Sequence, residues 1–308
     1  MRGLYPVFLV AIPVVVWGTT PRVTAEAAPF SGPLTLTMLR AAPTAVALLV
    51  ALPFLRARLP HDRTLWLWTA VSGVLMVTVF LAGFTEAIIH AGPGNAIVLA
   101  TTAPFWVVIL GRLFLGERPG LQAVAGLAVG FAGVVMIVWS QVGGGSGGAE
   151  LAAGMGLALA AALGWAIGTL IVKELVVRRP DVDLVGLTAG QYVVGGAAML
   201  AISFAAEGSG GAQWSSGKLW LCVAFISIVG CAVATIAYFG ALRVVDVTRV
   251  TAATFLSPVI AVLLEVVLGN APSGIVLAGM AVTVVGVAVV STAPSVEAKA
   301  AAPALDAV

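Results

Sequence analysis

The 308-residue chain is short of charge: Asp, Glu, Lys and Arg make up 9% of it, where soluble domains carry roughly 25%. Apolar residues make up 61%, and mean hydropathy is +1.12. A water-soluble fold of this size cannot hide so much apolar surface, so lipid must solvate much of it. Net charge is +2, and the basic residues are scattered. That excludes a surface built to neutralise nucleic-acid phosphates. Cys222 and Cys231 lie in one apolar stretch and are too few for a disulfide framework. They are expected as small packing residues. His61 and His90 lie far apart with no ligand cluster around them, so neither a metal site nor a cofactor is expected. The Gly-rich stretch 143–148 lacks a Gly-Lys-Ser/Thr ending and is expected to be a linker. No nucleophile elbow or catalytic carboxylate pair is present, so the chain is not expected to be an enzyme.

What is present is a series of charge-poor runs, each near the length that crosses ~30 Å of hydrocarbon. They cover 3–21, 33–55, 65–89, 93–115, 121–140, 151–172, 184–206, 219–242, 250–268 and 273–292. The first is taken as a helix and not as a cleaved signal, although Ala25-Glu26-Ala27 has a cleavage-site form, because the internal repeat requires it. Twelve basic residues sort to one side: Arg2, Arg56, Arg58, Arg63, Arg112, Arg118, Lys173, Arg178, Arg179, Arg243, Arg249 and Lys299. Only Arg22 and Lys218 fall on the other. By the positive-inside rule both termini are cytoplasmic, the membrane is the cell inner membrane, and the span count is even. The Ala/Pro-rich tail, 293–308, is expected to be disordered.

The ten predicted spans divide into two units, 1–142 and 151–292, joined by a linker at 143–150. Leu65-Trp66-Leu67 corresponds to Leu219-Trp220-Leu221, Pro104 to Pro258, and Trp17 to Trp165. Leu36-Thr37 and Arg40 correspond to Leu187-Thr188 and Gln191, while Gly126 and Gly133 correspond to Gly279 and Gly286. Five spans per unit is odd, so the second unit is expected to enter the membrane from the opposite side. The expected fold is therefore all-α, with ten transmembrane helices in two inverted five-helix repeats. In many transporters such units rock about a site at their interface.

Several segments resemble the EamA family of the drug/metabolite transporter superfamily, over about residues 6–292. They are Trp17-Gly18-Thr19-Thr20, Leu39-Arg40, Leu99-Ala100-Thr101-Thr102-Ala103-Pro104, Leu115-Gly116-Glu117-Arg118, Ala237-Tyr238-Phe239-Gly240-Ala241-Leu242 and Ser257-Pro258-Val259-Ile260-Ala261-Val262-Leu263-Leu264. The second half reads Leu268-Gly269-Asn270-Ala271 where the family usually has Leu-Gly-Glu, which speaks against an acidic role there. The resemblance implies a ten-helix permease that exports small organic metabolites such as amino acids, or xenobiotics. A nucleotide-sugar or phosphorylated-solute exchanger would need more basic residues facing its cavity. A non-transporting scaffold is the alternative from another class.

Arg40 is the sharpest site candidate, as a cation within a span that either binds an anion or caps backbone carbonyls. Gln191 is its neutral counterpart. Trp17 and Trp165 are expected as pocket walls or as packing residues. Thr20, Thr101, Thr102, Thr169, Tyr238 and Ser257 offer hydroxyls to a cavity or to their own helix backbones. Glu86 and Glu265 are candidates for gating or proton coupling, and Pro104 and Pro258 for helix bending. The paired glycines of spans five and ten are expected to give close helix contact, within one chain or between two copies in a homodimer. The other expected partners are a small-molecule substrate and the lipid bilayer.

Overall fold

Inside hydrocarbon a chain must pair its own backbone N–H and C=O groups, and a helix does so within a single segment. The computed structural model describes residues 5–114, 119–139, 148–269 and 272–294, and these are overwhelmingly helical. The helices are α1 (Tyr5–Ala27), α2 (Pro33–Leu55), α3 (Arg63–His90), α4 (Ala103–Phe114) and α5 (Leu121–Trp139). The second five are α6 (Gly148–Arg178), α7 (Leu184–Glu207), α8 (Gly217–Val244), α9 (Val247–Leu264) and α10 (Gly274–Thr292). Eight are long and apolar enough to cross a membrane, and α4 and α5 are shorter apolar helices. The chain is an all-α membrane protein of about ten spans. Among the described residues no strand forms, and a single antiparallel bridge joins Ser31 and Ala212.

Three departures from simple spans shape the interior. First, α1 runs beyond the expected end at Pro21, and an Arg22–Glu26 ion pair at 3.2 Å braces the added turn. Second, helical backbone continues from α3 to Ala100, yet the chain doubles back on the way. A straight helix would put Phe84 and Ala100 about 24 Å apart, but both line one cavity. Trp106 and Leu110 likewise return to the cluster that holds Leu65 and Trp68. Third, the span that contains α4 is interrupted by a turn at Thr101-Thr102, and α9 by a 3₁₀ turn at Thr254–Leu256. Pro104 and Pro258 follow these breaks, in the first turn of the resumed helix, where a missing N–H costs least.

The helices pair as α5 with α10, α2 with α7, α3 with α6, and α1 with α8 and α9, while α4 also packs on α6. Exchanging the first five helices for the last five leaves this scheme unchanged. The α5–α10 seam is the closest. A Cβ added at Gly286 would lie 2.2 Å from the Gly130 amide nitrogen, and one at Gly133 would lie 2.4 Å from that of Thr283. Only residues without side chains allow the backbones to meet at this distance.

The loops after α1 and α7 meet on one face, termed the first-loop face. There Gly32 N–H donates to the Gly211 carbonyl at 2.7 Å, and Gln213 N–H to that of Phe30 at 2.8 Å. The α2 N-terminus has only glycine as its cap, and Glu207 at the end of α7 takes the capping role. Its carboxylate accepts from Leu34 N–H at 2.9 Å, Thr35 N–H at 2.8 Å and the Thr35 hydroxyl at 2.5 Å. The opposite, second-loop face joins 56–62 to 179–183 through Arg179 and Asp62, and Arg243 donates there to the Val182 carbonyl.

Gly286→Val should lower thermal stability in detergent by about 1–3 kcal/mol through overpacking of the seam. Gly274→Ala, at a position with open space within 4 Å, should leave the melting temperature unchanged in the same assay.

Candidate functional site

The site grows from two tryptophans at matching places in α1 and α6. Trp17 and Trp165 meet edge to face, with ring centroids 5.2 Å apart, and Tyr238 of α8 lies 5.2 Å from the first and 5.5 Å from the second. Phe80 of α3 lies 4.6 Å from Trp165 and stacks on Phe84 at 5.6 Å. Together they form an aromatic layer across the molecule. On its first-loop side is a cavity of about 100 Å³, lined by Trp17, Phe80, Phe84 and Trp165 and by Thr20, Arg40, Leu81, Thr101, Tyr192, Cys231, Thr235, Thr254 and Ser257, with small residues between.

Irregular backbone gives the cavity its room. Val74–Val79 in α3 and Phe225–Val233 in α8 are π-helical, at positions that the internal repeat makes equivalent. Such wide turns often occur at functional sites. Gly230 sits in the second of them, and its carbonyl accepts the Trp17 indole N–H at 3.0 Å. The breaks at Thr101-Thr102 and Thr254–Leu256 supply the facing wall.

Three hydroxyl protons at the wall are committed to the backbone. Thr20 donates to Val16 at 2.9 Å, Thr254 to Thr251 at 2.6 Å and Ser257 to Val14 at 3.1 Å. Tyr192 hydrogen-bonds with Cys231 and Thr235. Arg40 is 3% exposed. Its Nη1 donates to the Thr85 hydroxyl at 2.9 Å, and its Nε is buried with no acceptor.

Of the residues singled out from the sequence, Trp17, Thr20, Arg40, Thr101, Trp165 and Ser257 line this cavity. Tyr238 is fully buried behind the two tryptophans, and its hydroxyl lies 3.4 Å from that of Thr169, one layer deeper. Thr102 donates to the Leu99 carbonyl at 2.6 Å and lies off the cavity lining. Gln191 does not mirror Arg40 at the wall: it donates to the Ser72 hydroxyl at 2.7 Å, against the backbone of Gly73. Glu86 meets His90, one turn on, at 3.0 Å. Glu265 lies in the resumed helix after Pro258, and its side chain is outside the described residues. So are Glu117, Asn270 and Ala271, most of the Gly-rich linker and the tail from 295.

Phe80, Leu81, Phe84, Cys231, Thr235 and Thr254 were not picked out from the sequence. A signal for one of them existed: the offset that matches Leu65 to Leu219 also sets Phe84 against Tyr238.

Beyond the aromatic layer, the second-loop side is packed shut by a cluster that includes Leu65, Leu170, Phe239, Leu242 and Val247. Lys173 reaches the last carbonyls of α8, donating to Leu242 at 2.6 Å and Val245 at 3.3 Å. Asp62 accepts from the Leu65 amide at 2.7 Å, capping α3, and pairs with Arg179. The amide, and then the Arg179 charge, hold its carboxyl below the usual carboxylate range.

Comparison with known proteins bears on what this cavity serves. The family model described as the EamA-like transporter family matches twice, over residues 4–139 and 152–292. The chain belongs to the EamA-like transporter family. It is 28% identical over 287 residues to the uncharacterized transporter YvbV of Bacillus subtilis, covering 92% of this chain and 90% of that one. It is 30% identical to the uncharacterized inner membrane transporter YedA of Escherichia coli K12, over 87% and 85% of the two chains. A riboflavin transporter of Rhizobium johnstonii is 34% identical over about half of each chain. A crystal structure superposes with a TM-score of 0.75 over 92% of this chain, at 24% identity, and so shares the fold. This EamA protein is thus a multi-pass membrane transporter.

Two outcomes follow. Because the Asp62 pKa is lowered on folding, its ionised form supports the closed face above the usual carboxylate range, and that support is lost as pH falls through the lowered value. Asp62→Asn should therefore speed amide exchange at Leu65 and Trp66 at neutral pH, with a smaller difference from wild type in acid. In a Cys222→Ser background, a small membrane-impermeant thiol reagent should label Cys231 from one side of the membrane only.

Proposed function

We propose that this EamA protein is a secondary transporter of small organic metabolites, such as amino acids, or xenobiotics, working by alternating access between two inverted five-helix repeats. The observation that carries this is the aromatic-walled cavity between the halves, on the first-loop side of the aromatic layer, with the other side of that layer tightly packed. The repeats are 1–142 and 151–292, joined by a linker at 143–150. Support comes from the twofold match of the family model and from a packing scheme that maps onto itself when the halves are exchanged. The sorting of basic residues puts both termini in the cytoplasm and the first-loop face outside, in the cell inner membrane. In this reading the cavity lies on the outer side of the aromatic layer.

In this reading the two π-helical turns and the breaks in the spans of α4 and α9 are where helices adjust between access states. Trp17, Trp165 and Tyr238 form the barrier that must part. Arg40, Thr20, Thr101 and Ser257 contact substrate, while Thr102, Thr169 and Gln191 act from behind the wall. Glu86, through His90, belongs to the outer gate, and Glu265 stands as a second acidic candidate for gating or proton coupling. The driving force is a solute or proton gradient, and export is the direction the family resemblance implies. The protein transports and does not catalyse. One relative's name denotes a flat aromatic solute, in keeping with aromatic walls. A phosphorylated-solute exchanger is disfavoured, because Arg40 is the single cation in the described lining.

Purified protein in liposomes should show saturable flux of at least one solute from a panel of amino acids and flat aromatic compounds, measured with and without a pH gradient. Trp17→Ala and Trp165→Ala should each slow that flux about tenfold or more at unchanged expression, as expected when a walled binding site loses an aromatic anchor. Absence of flux for every solute would instead favour a scaffold.

A further inference from the structure

The buried guanidinium of Arg40 leaves an electrostatic account open. A cation at this depth is costly, and buried charges are ordinarily paired. Arg40 has instead one neutral hydroxyl, from Thr85, and an Nε without an acceptor. The nearby described acids are engaged elsewhere: Glu26 with Lys218 at 2.5 Å, Glu86 with His90, and Glu207 with the start of α2. Among the described residues no carboxylate lies within ion-pair distance of Arg40, and it lines the cavity.

We infer that the solute recognised here is a monocarboxylate with a flat apolar body, its carboxylate seated on Arg40 and its face against Trp17, Trp165 and Phe80. This deepens the transport reading and rests on it. A guanidinium presents a planar fork of N–H donors that matches the two oxygens of a carboxylate. One cation balances one negative charge, which favours a carboxylate over a dianionic phosphate. No carboxylate in the described lining balances an ammonium, so a net anion is favoured over a zwitterion or an amine. The aromatic rings give the apolar body its surface.

The test holds the ring constant and changes the charge. Binding of phenylacetate, phenylacetamide, 2-phenylethylamine, phenylalanine and phenyl phosphate to the purified full-length chain is followed by tryptophan fluorescence, and flux of the same compounds by counterflow in liposomes. Phenylacetate should bind about ten- to hundredfold more tightly than its amide, the range of a charge-assisted hydrogen bond. Arg40→Gln should erase that preference, and Arg40→Lys should keep part of it. Should Arg40→Gln fail to fold, the wild-type ligand series decides alone. The inference is overturned if the amide, the amine, the zwitterion or the phosphate binds as tightly as phenylacetate, if nothing in the series binds, or if folded Arg40→Gln keeps the preference. Flux of a neutral or cationic solute without carboxylate preference would sink this inference and spare the transport reading. Carboxylate binding without flux of any solute would do the reverse.

Discussion

Water is missing from the hydrocarbon layer, and this one fact governs where the backbone may be irregular. An exposed N–H or C=O facing lipid has no partner, so departures from the α-helix are confined to places covered by protein or opening on a cavity. Four such departures are the π-helical turns in α3 and α8, the turn at Thr101-Thr102 and the 3₁₀ turn at Thr254–Leu256. Three of them contribute residues to the wall of the same cavity, and the turn in α3 ends one residue before Phe80, which also lines it. The groups they release are taken up locally, as when Gly230 receives the Trp17 indole. The cavity is thus not a gap left by poor packing; it is where the helices stop being regular, and the aromatic layer forms its floor.

The same scarcity of water sharpens the one charge in the wall. In an aqueous cleft, Arg40 would be one cation among many. Here its neighbours are hydroxyls whose protons point into backbone carbonyls and rings that offer only weak attraction. The repeat supplies a neutral amide, Gln191, at the matching position and buries it against α3. Two halves of closely similar design therefore present unlike chemistry at their interface, and the cavity between them has a cationic group as well as apolar walls.

Much of the architecture is legible in the sequence because it is written in the coarsest variable, the spacing of charge. The span positions follow from it, apart from the overrun of α1 beyond Pro21, where an ion pair lies in a helix that the charge at Arg22 was expected to end. The site was harder to read. Trp17, Trp165 and Arg40 stand out because tryptophan and arginine are conspicuous in an apolar background and recur or contrast in register. Phe80, Phe84 and Cys231 do not, since a phenylalanine or cysteine on a membrane helix looks the same whether it faces lipid, protein or a cavity. Thr102, Thr169 and Gln191 sit one layer away from the cavity for a related reason: helix rotation decides which face a hydroxyl or amide presents, and wide turns shift that rotation in ways that regular 3.6-residue counting misses.

The glycine seam between α5 and α10 has a consequence of another kind. Neither helix contributes a residue to the cavity wall. The close joint between the halves and the wall of the cavity are therefore encoded in separate stretches of chain. Substitutions in the cavity wall leave the residues of the joint unchanged. A scaffold partitioned in this way is well suited to diversification after duplication.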